Sequence, residues 1–372
     1  MKKALIITTV SGFVPQFEMN NVHILQELGY EVHYASNFHT PIYGNNNERL
    51  KGTDIICHQI DFVRSPYNIE RNLIALEQLI SLMRKERFHL VHCHTPMGGV
   101  LGRIAAHKTN TNPVLYTAHG FHFYKGAPIW NWLFFYPVER FLAKWTDCLI
   151  TINREDYKRA QKLKIKKSIY YVPGIGITKM DKLSTERIQK KRIELEIPLD
   201  ATLLINIGEL NKNKNQKFIL KILRKSNMKN LFCIICGEGS QKTQLNTYIK
   251  KYNLESQVQL LGFRQDIDEL LMCSNIFICT SKREGLSVAV MEALSYGIPV
   301  ISSNVRGNRE LIKKGINGYL VTKNSVKQYL VYLKEIQNLN ICMVRDTYLE
   351  PKYYLNSIEK QMKDIYMSMR SL

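Results

Sequence analysis

The chain has 372 residues, 45% hydrophobic and 23% charged, with a net charge of +20 from 52 Lys and Arg against 32 Asp and Glu. That length suits two domains better than one core, and no apolar run approaches the roughly 18 residues that cross a bilayer. The composition is that of an ordinary globular protein, and the basic balance favours anionic partners such as nucleotide phosphates or anionic lipid headgroups; no nucleic-acid motif accompanies it, so no nucleic acid is expected.

The first half alternates strand and helix patterns. Lys3 to Val10 is an apolar run, and Pro15 to Leu28 has helical spacing with Phe17, Val22, Leu25 and Leu28 on one side. Gly29 stops that helix, and Glu31 to Ser36 is the next strand. Ile69 to Glu86 reads as an amphipathic helix, His89 to His94 as a strand, Val100 to Lys108 as a helix and Val114 to Ala118 as a strand. Val138 to Trp145 then reads as a helix and Asp147 to Ile152 as a strand. Such alternation predicts a parallel sheet covered on both faces. A second series begins near residue 200, with strands expected at 201–207, 231–236, 258–261, 276–280, 300–303 and 318–321. The tail from Pro351 carries Tyr354, Ile358, Met362 and Ile365 at helical spacing.

The fold class expected is therefore α/β, with two facing Rossmann-like, doubly wound domains and a C-terminal helix. The boundaries are residues 1–175 for the first domain, 176–199 for a linker, 200–350 for the second domain and 351–372 for the helix. Ligands of such sheets bind at the carboxyl ends of the strands. The eight cysteines are scattered, mostly within apolar runs, and are expected to be reduced thiols of a cytoplasmic protein.

The segment from Glu284 to Val300 carries the most chemistry. An apolar helical pattern through Val288, Met291, Ala293 and Leu294 follows Glu284, contains Glu292, and stops at Tyr296-Gly297 with Pro299 behind. Eight positions separate the two carboxylates, a little over two helical turns, so both are expected on roughly one side. A helix N-terminus near Leu286, Ser287 and Val288 attracts phosphate, and flanking carboxylates accept hydrogen bonds from sugar hydroxyls.

Other signals lie at expected strand ends. Gly12 follows the first strand, where backbone approaches a phosphate or a sugar. His119, before Gly120, is placed to touch substrate. His92 and His94 point to one face of a strand, but no third ligand has recognisable spacing, so no metal is expected. The loop Gly208 to Gln216 offers Lys212 and Lys214 to a diphosphate. Gly237-Glu-Gly239 lacks the final glycine of a dinucleotide fingerprint. Asp266-Ile-Asp268 mimics a metal-binding Asp-x-Asp, but helix capping is expected to explain it. The aromatic stretch Phe121 to Trp145, with Lys125, Arg140 and Lys144, fits either core packing or a membrane surface.

Taken together, Thr117-Ala-His119-Gly, Asp147 to Asn153, Gly208-Glu-Leu with Lys214, Gly237-Glu-Gly239, Leu261-Gly-Phe-Arg264, Glu284 to Pro299, and Gly307-Asn-Arg-Glu310 with Asn317-Gly318 resemble the bacterial family-four retaining glycosyltransferases that build capsule, exopolysaccharide or lipid-linked glycans. The resemblance covers nearly the whole chain. It implies the two-domain GT-B architecture and transfer of a hexose or N-acetylhexosamine from a nucleotide sugar, with UDP the family habit. The acceptor implied is a glycan, lipid-linked, and the anomeric configuration is retained without cofactor or obligatory metal.

Carried over by position, Glu284 binds donor-sugar hydroxyls and Glu292 the ribose. Backbone N–H groups near Leu286, Ser287 and Val288 hold the diphosphate with Lys214. His119 contacts the sugar from the N-terminal side, Gly12 leaves room for the donor, and Phe263 and Arg264 lie near the base. Two positions depart from the family pattern: Glu209 stands where many members carry a phosphate-pairing Arg, and Pro173-Gly-Ile-Gly176 where an Asn often stands. A nucleotide-sugar 2-epimerase and a non-catalytic nucleotide-sugar or glycan binder are the competing readings. Location is expected in the cytoplasm, with contact to the inner face of an anionic membrane.

Overall fold

The computed structural model of the chain describes residues 1–40, 42, 46–178, 181–322, 325–338 and 348–370. Contacts divide the chain into two compact units, Met1–Gly176 with Leu355–Leu372, and Ile177–Tyr354.

The first unit is built on β1 (Lys2–Ile7), β2 (Tyr30–Ser36), β3 (Ile56–Gln59), β4 (Leu90–Cys93), β5 (Val114–Ala118), β6 (Cys148–Thr151) and β7 (Ser168–Tyr171), in the spatial order β3-β2-β1-β4-β5-β6-β7. Every pairing is parallel. The central strands are apolar from end to end because helices cover both faces. One face is packed by the helices Ile69–Glu86 and Pro96–Lys108 through Ala75, Leu79, Met83, Leu101 and Ala105. The other is covered by the helix Met19–Glu27 and by the terminal helix Leu355–Arg370, which buries Ile358, Met362, Ile365, Tyr366 and Met369. That spacing is one stripe of a helix.

The second unit holds β8 (Thr202–Ile207), β9 (Leu231–Cys236), β10 (Val258–Gly262), β11 (Ile276–Cys279), β12 (Val300–Ser303) and β13 (Gly318–Val321), ordered β10-β9-β8-β11-β12-β13 and again all parallel. Residues 177–199 are counted with this unit. Their helix Thr185–Glu194 buries Arg192, which donates to the carbonyls of Cys273, Leu199 and Ala201 and to Asn275 Oδ1.

Three sequence expectations are corrected. The stretch Pro15 to Leu28 is not one helix: it breaks at Glu18 (φ −129°) into Phe13–Phe17 and Met19–Glu27. The helix expected from Val138 begins at Ile129 and runs to Leu142, with Pro137 inside it. Asp266 occupies the N-cap position of the helix Ile267–Met272 but makes no capping bond; its carboxylate is held by Arg264 and Lys191 instead. Among the described cysteines all seven are free thiols, six buried and Cys57 exposed; Cys342 lies outside the described residues.

Candidate active site

Both sheets have a switch point, where strand order reverses and the loops at the carboxyl edge part. In the second unit it lies between β8 and β11. The loops that follow those two strands are stitched together. Asn213 N–H and Lys214 N–H both donate to Asn211 Oδ1, at 3.0 and 2.9 Å. Asn213 Nδ2 reaches the Arg283 carbonyl at 3.0 Å, Lys282 N–H donates to the Asn213 carbonyl at 2.8 Å, and Thr280 Oγ1 donates to the Asn215 carbonyl at 3.0 Å.

This frame places Lys214 Nζ 2.7 Å from Glu284 Oε1, with Glu284 9% exposed. The aliphatic stem of Lys214 crosses Gly208, where a Cβ would meet Lys214 Cε at 3.2 Å. The pair brings together two residues that the sequence assigned to different parts of one ligand. An ammonium has three N–H donors, and Glu284 Oε1 accepts one of them.

The helix near the expected phosphate site runs Val288–Ser295, with Ser287 as N-cap, its Oγ accepting from Val290 N–H at 3.4 Å. Leu286 and Ser287 are buried and Val288 is half-buried. Glu284 therefore lies in the loop ahead of the helix, and counting helical turns from it to Glu292 does not apply. The loop is fixed from behind: buried Arg306 donates through Nε to the Glu284 carbonyl, and a Cβ on Gly307 would strike the Gly285 carbonyl oxygen at 2.4 Å. Arg306 was not legible as part of the site, since its contact is to backbone 22 positions away.

Glu292 is half-buried in the second turn, and burial, with Asp268 nearby, raises its carboxyl to about 7 from 4.5. The native state then holds this proton more tightly than the unfolded chain. The stability it contributes is complete below pH 4.5 and is lost as pH rises to about 7. Wild type is expected to lose stability relative to Glu292→Gln across that window, on the order of 2 kcal/mol by comparative urea unfolding; parallel pH profiles would contradict it.

Arg264 is engaged with Asp266, its Nε donating to Oδ1 at 2.7 Å, and Phe263 is 39% exposed beside it. Gly12 is buried with φ −71°, a backbone any residue adopts, at the start of the helix Phe13–Phe17. Gly237 and Gly239 serve backbone packing: a Cβ at each would lie 2.1 and 2.5 Å from the carbonyl oxygens of Gly208 and Leu210. Glu209 is half-buried, with its own carbonyl accepting from Gln216 Nε2 at 3.1 Å.

In the first unit the switch point lies between β1 and β4. His94 follows β4, and His119 follows β5. His119 is 21% exposed, and burial pushes its imidazole down to about 4. Its Nε2 is 3.1 Å from His94 Nδ1. His92 and His94 do not form the pair that their spacing suggested: His92 Nδ1 bonds Tyr366 Oη at 2.7 Å and Nε2 bonds Thr117 Oγ1 at 2.8 Å.

Comparison with known proteins fits this architecture. The model of the family "Glycosyl transferases group 1" matches residues 187–344, and that of "Glycosyl transferase 4-like" matches residues 4–153. A protein of Bacillus subtilis (strain 168) carrying the name glycosyltransferase EpsD is 36% identical over 330 residues, which is 86% of this chain and 83% of that protein. The chain belongs to the group 1, family-four-like glycosyltransferases. This glycosyltransferase is also 28% identical over 349 residues, 88% of its length and 86% of the relative's, to an Escherichia coli UDP-Gal:alpha-D-GlcNAc-diphosphoundecaprenol alpha-1,3-galactosyltransferase. Its fold matches Anabaena HepE, solved with UDP-glucose, at a TM-score of 0.76 and 17% identity, over 99% of this chain and all of that one. The two Rossmann-like domains are those of the GT-B glycosyltransferases. Among the described residues no helix is long and apolar enough to cross a membrane.

Proposed function

We propose that the enzyme moves a hexose or N-acetylhexosamine, with retention, from a UDP-sugar to a lipid-linked glycan during bacterial surface polysaccharide synthesis. The observation that carries this is the Lys214–Glu284 pair at the carboxyl edge of the second sheet, 2.7 Å across and beside the amino end of the helix Val288–Ser295. Family membership favours transfer over the 2-epimerase and the non-catalytic readings. The names of two similar proteins support the donor and acceptor classes, one acting from UDP-galactose on a diphosphoundecaprenol-linked sugar and one holding UDP-glucose.

In the reaction the bond from the anomeric carbon to the leaving phosphate oxygen breaks. The acceptor hydroxyl attacks from the same face, and its proton passes to an oxygen of the departing diphosphate. Lys214 and the N–H groups of residues 286–288 stabilise the charge that gathers on that diphosphate. Glu284 accepts hydrogen bonds from donor-sugar hydroxyls and orients the ammonium of Lys214. Glu292 accepts from the ribose, and Phe263 and Arg264 stand toward the base. His119 serves the sugar from the N-terminal domain and Gly12 leaves room there. The domain limits 1–175 and 200–350 are kept as acceptor-side and donor-side halves. Thermal shift against nucleotide sugars, followed by acceptor-dependent release of UDP, tests the reading. Release of UDP that does not depend on any lipid-linked acceptor across a broad panel would refute it.

Work at the cytoplasmic face of an anionic membrane is part of the proposal. The helix Ile129–Leu142 leaves Trp130, Leu133, Phe134 and Phe141 exposed, at 63, 56, 64 and 54%, with exposed Lys125, Arg140 and Lys144 around them. An apolar face rimmed by basic residues suits the lipid interface. Sedimentation with anionic vesicles is expected for wild type at low salt, and to be lost in a Trp130→Ser, Phe134→Ser variant. Equal sedimentation of the two proteins would remove the helix from the account.

A further inference from the structure

The first unit gathers three side chains whose arrangement the transfer reaction does not require. Glu18 comes from the break between the helices Phe13–Phe17 and Met19–Glu27, and His94 and His119 follow β4 and β5. Glu18 Oε1 lies 3.4 Å from His94 Nδ1 and 3.5 Å from His119 Nε2, and the two nitrogens are 3.1 Å apart. One lone-pair atom of each residue thus marks a corner of a nearly equilateral triangle. Four ligands held tetrahedrally at about 2.0–2.1 Å from a zinc ion lie about 3.3–3.4 Å from one another. An ion bonded at that length to all three atoms would stand within about 1 Å of their plane.

Hydrogen bonding accounts for this cluster incompletely. The carboxylate contacts to both imidazoles are longer than charge-assisted hydrogen bonds. Glu18 is 2% exposed, and its second oxygen accepts from Asn21 Nδ2, the kind of outer contact that orients a ligating carboxylate.

We propose that Glu18, His94 and His119 form a binding site for one divalent transition ion of the zinc class, with a fourth position open. Two imidazoles and one carboxylate are a zinc donor set, and a cation offsets the cost of sequestering the carboxylate. His92 is excluded, because both its nitrogens are taken by Tyr366 and Thr117. The ion would tie the segments after β1, β4 and β5 together beside the first sheet's switch point. The three ligands all come from the first unit, and the ion would compete with the sugar-contact role of His119 for the same imidazole.

The test is occupancy rather than activity. Full-length chain stripped by chelator is titrated with cobalt(II), whose visible bands report nitrogen and oxygen ligation, and zinc retained after desalting is counted by elemental mass spectrometry. One ion per chain is expected for wild type and for Cys57→Ser, whose thiol is the exposed one among the described cysteines. Affinity about tenfold or more weaker is expected for Glu18→Gln and for His119→Ala. Glu18→Gln keeps an acceptor for Asn21 and His119 is partly exposed, so circular dichroism should show both variants folded. Wild type retaining well under one ion per chain, or both folded variants binding as wild type does, would overturn the site.

Discussion

A Lys214→Ala enzyme is expected to turn over about 100-fold more slowly than wild type, and Glu284→Ala about as slowly. The first loses the charge nearest the leaving diphosphate, worth about 3 kcal/mol in the transition state. The second loses both the hydroxyl acceptor and the partner that fixes the ammonium 2.7 Å away. Because the two groups touch, their effects should not add: the double variant is expected to be little slower than either single one. Lys214→Ala also strands a carboxylate that is 9% exposed, so folding must be checked by circular dichroism. Single-turnover kinetics with saturating donor separates the step from binding. Near-normal transfer by both folded single variants would end the assignment of the diphosphate to this loop.

Glu139→Ala is expected to destabilise the first unit by about 3–5 kcal/mol. Arg103 is 1% exposed, and Glu139 receives two of its N–H donors at 2.9 and 3.0 Å. The third bond goes from Nε to the Gly99 carbonyl at 2.7 Å, and the guanidinium lies 4.0 Å over the Tyr116 ring. An arginine does not shed its proton to escape burial, so removing Glu139 leaves a full charge without its counter-ion. The three tryptophans, Trp130, Trp132 and Trp145, all lie in the first unit, so fluorescence-detected urea unfolding follows that unit without assuming that the whole chain melts as one. A midpoint shift worth under about 1 kcal/mol would mean that water reaches the guanidinium after the helix shifts.

Central strands were legible because burial on both faces demands uninterrupted apolar side chains; Leu231–Cys236 and Val114–Ala118 were read to the residue. The edge strands Ile56–Gln59 and Ser168–Tyr171 were not read, since neither is continuously buried and neither carries that signature. The terminal helix followed from its period. Glu284 and Glu292 were reached partly through a spacing argument that the structure does not support, because Ser287 is extended and the helix starts only at Val288, whereas Lys214 followed from its place in the loop after a strand. What holds Lys214 was out of reach: the side chains of Asn211 and Asn213 bond backbone groups, and such contacts leave no period. Glu18 was hidden inside an apparently continuous helical pattern. Its one signal was a carboxylate between Phe17 and Met19, and only the fold brings His94 and His119 to it.

The first unit is assembled from both ends of the chain, with residues 177–354 inserted between Gly176 and Leu355. A ribosome therefore makes the entire second unit before the helix Leu355–Arg370 exists to help cover Ala4, Ile6, Leu115 and Ile150. Until that helix is added, the helix Met19–Glu27 covers its side of the first sheet only in part, whereas residues 177–354 already hold every strand of the second. A chain truncated after residue 354 should accordingly show a protease-resistant second unit and a first unit that is still cleaved.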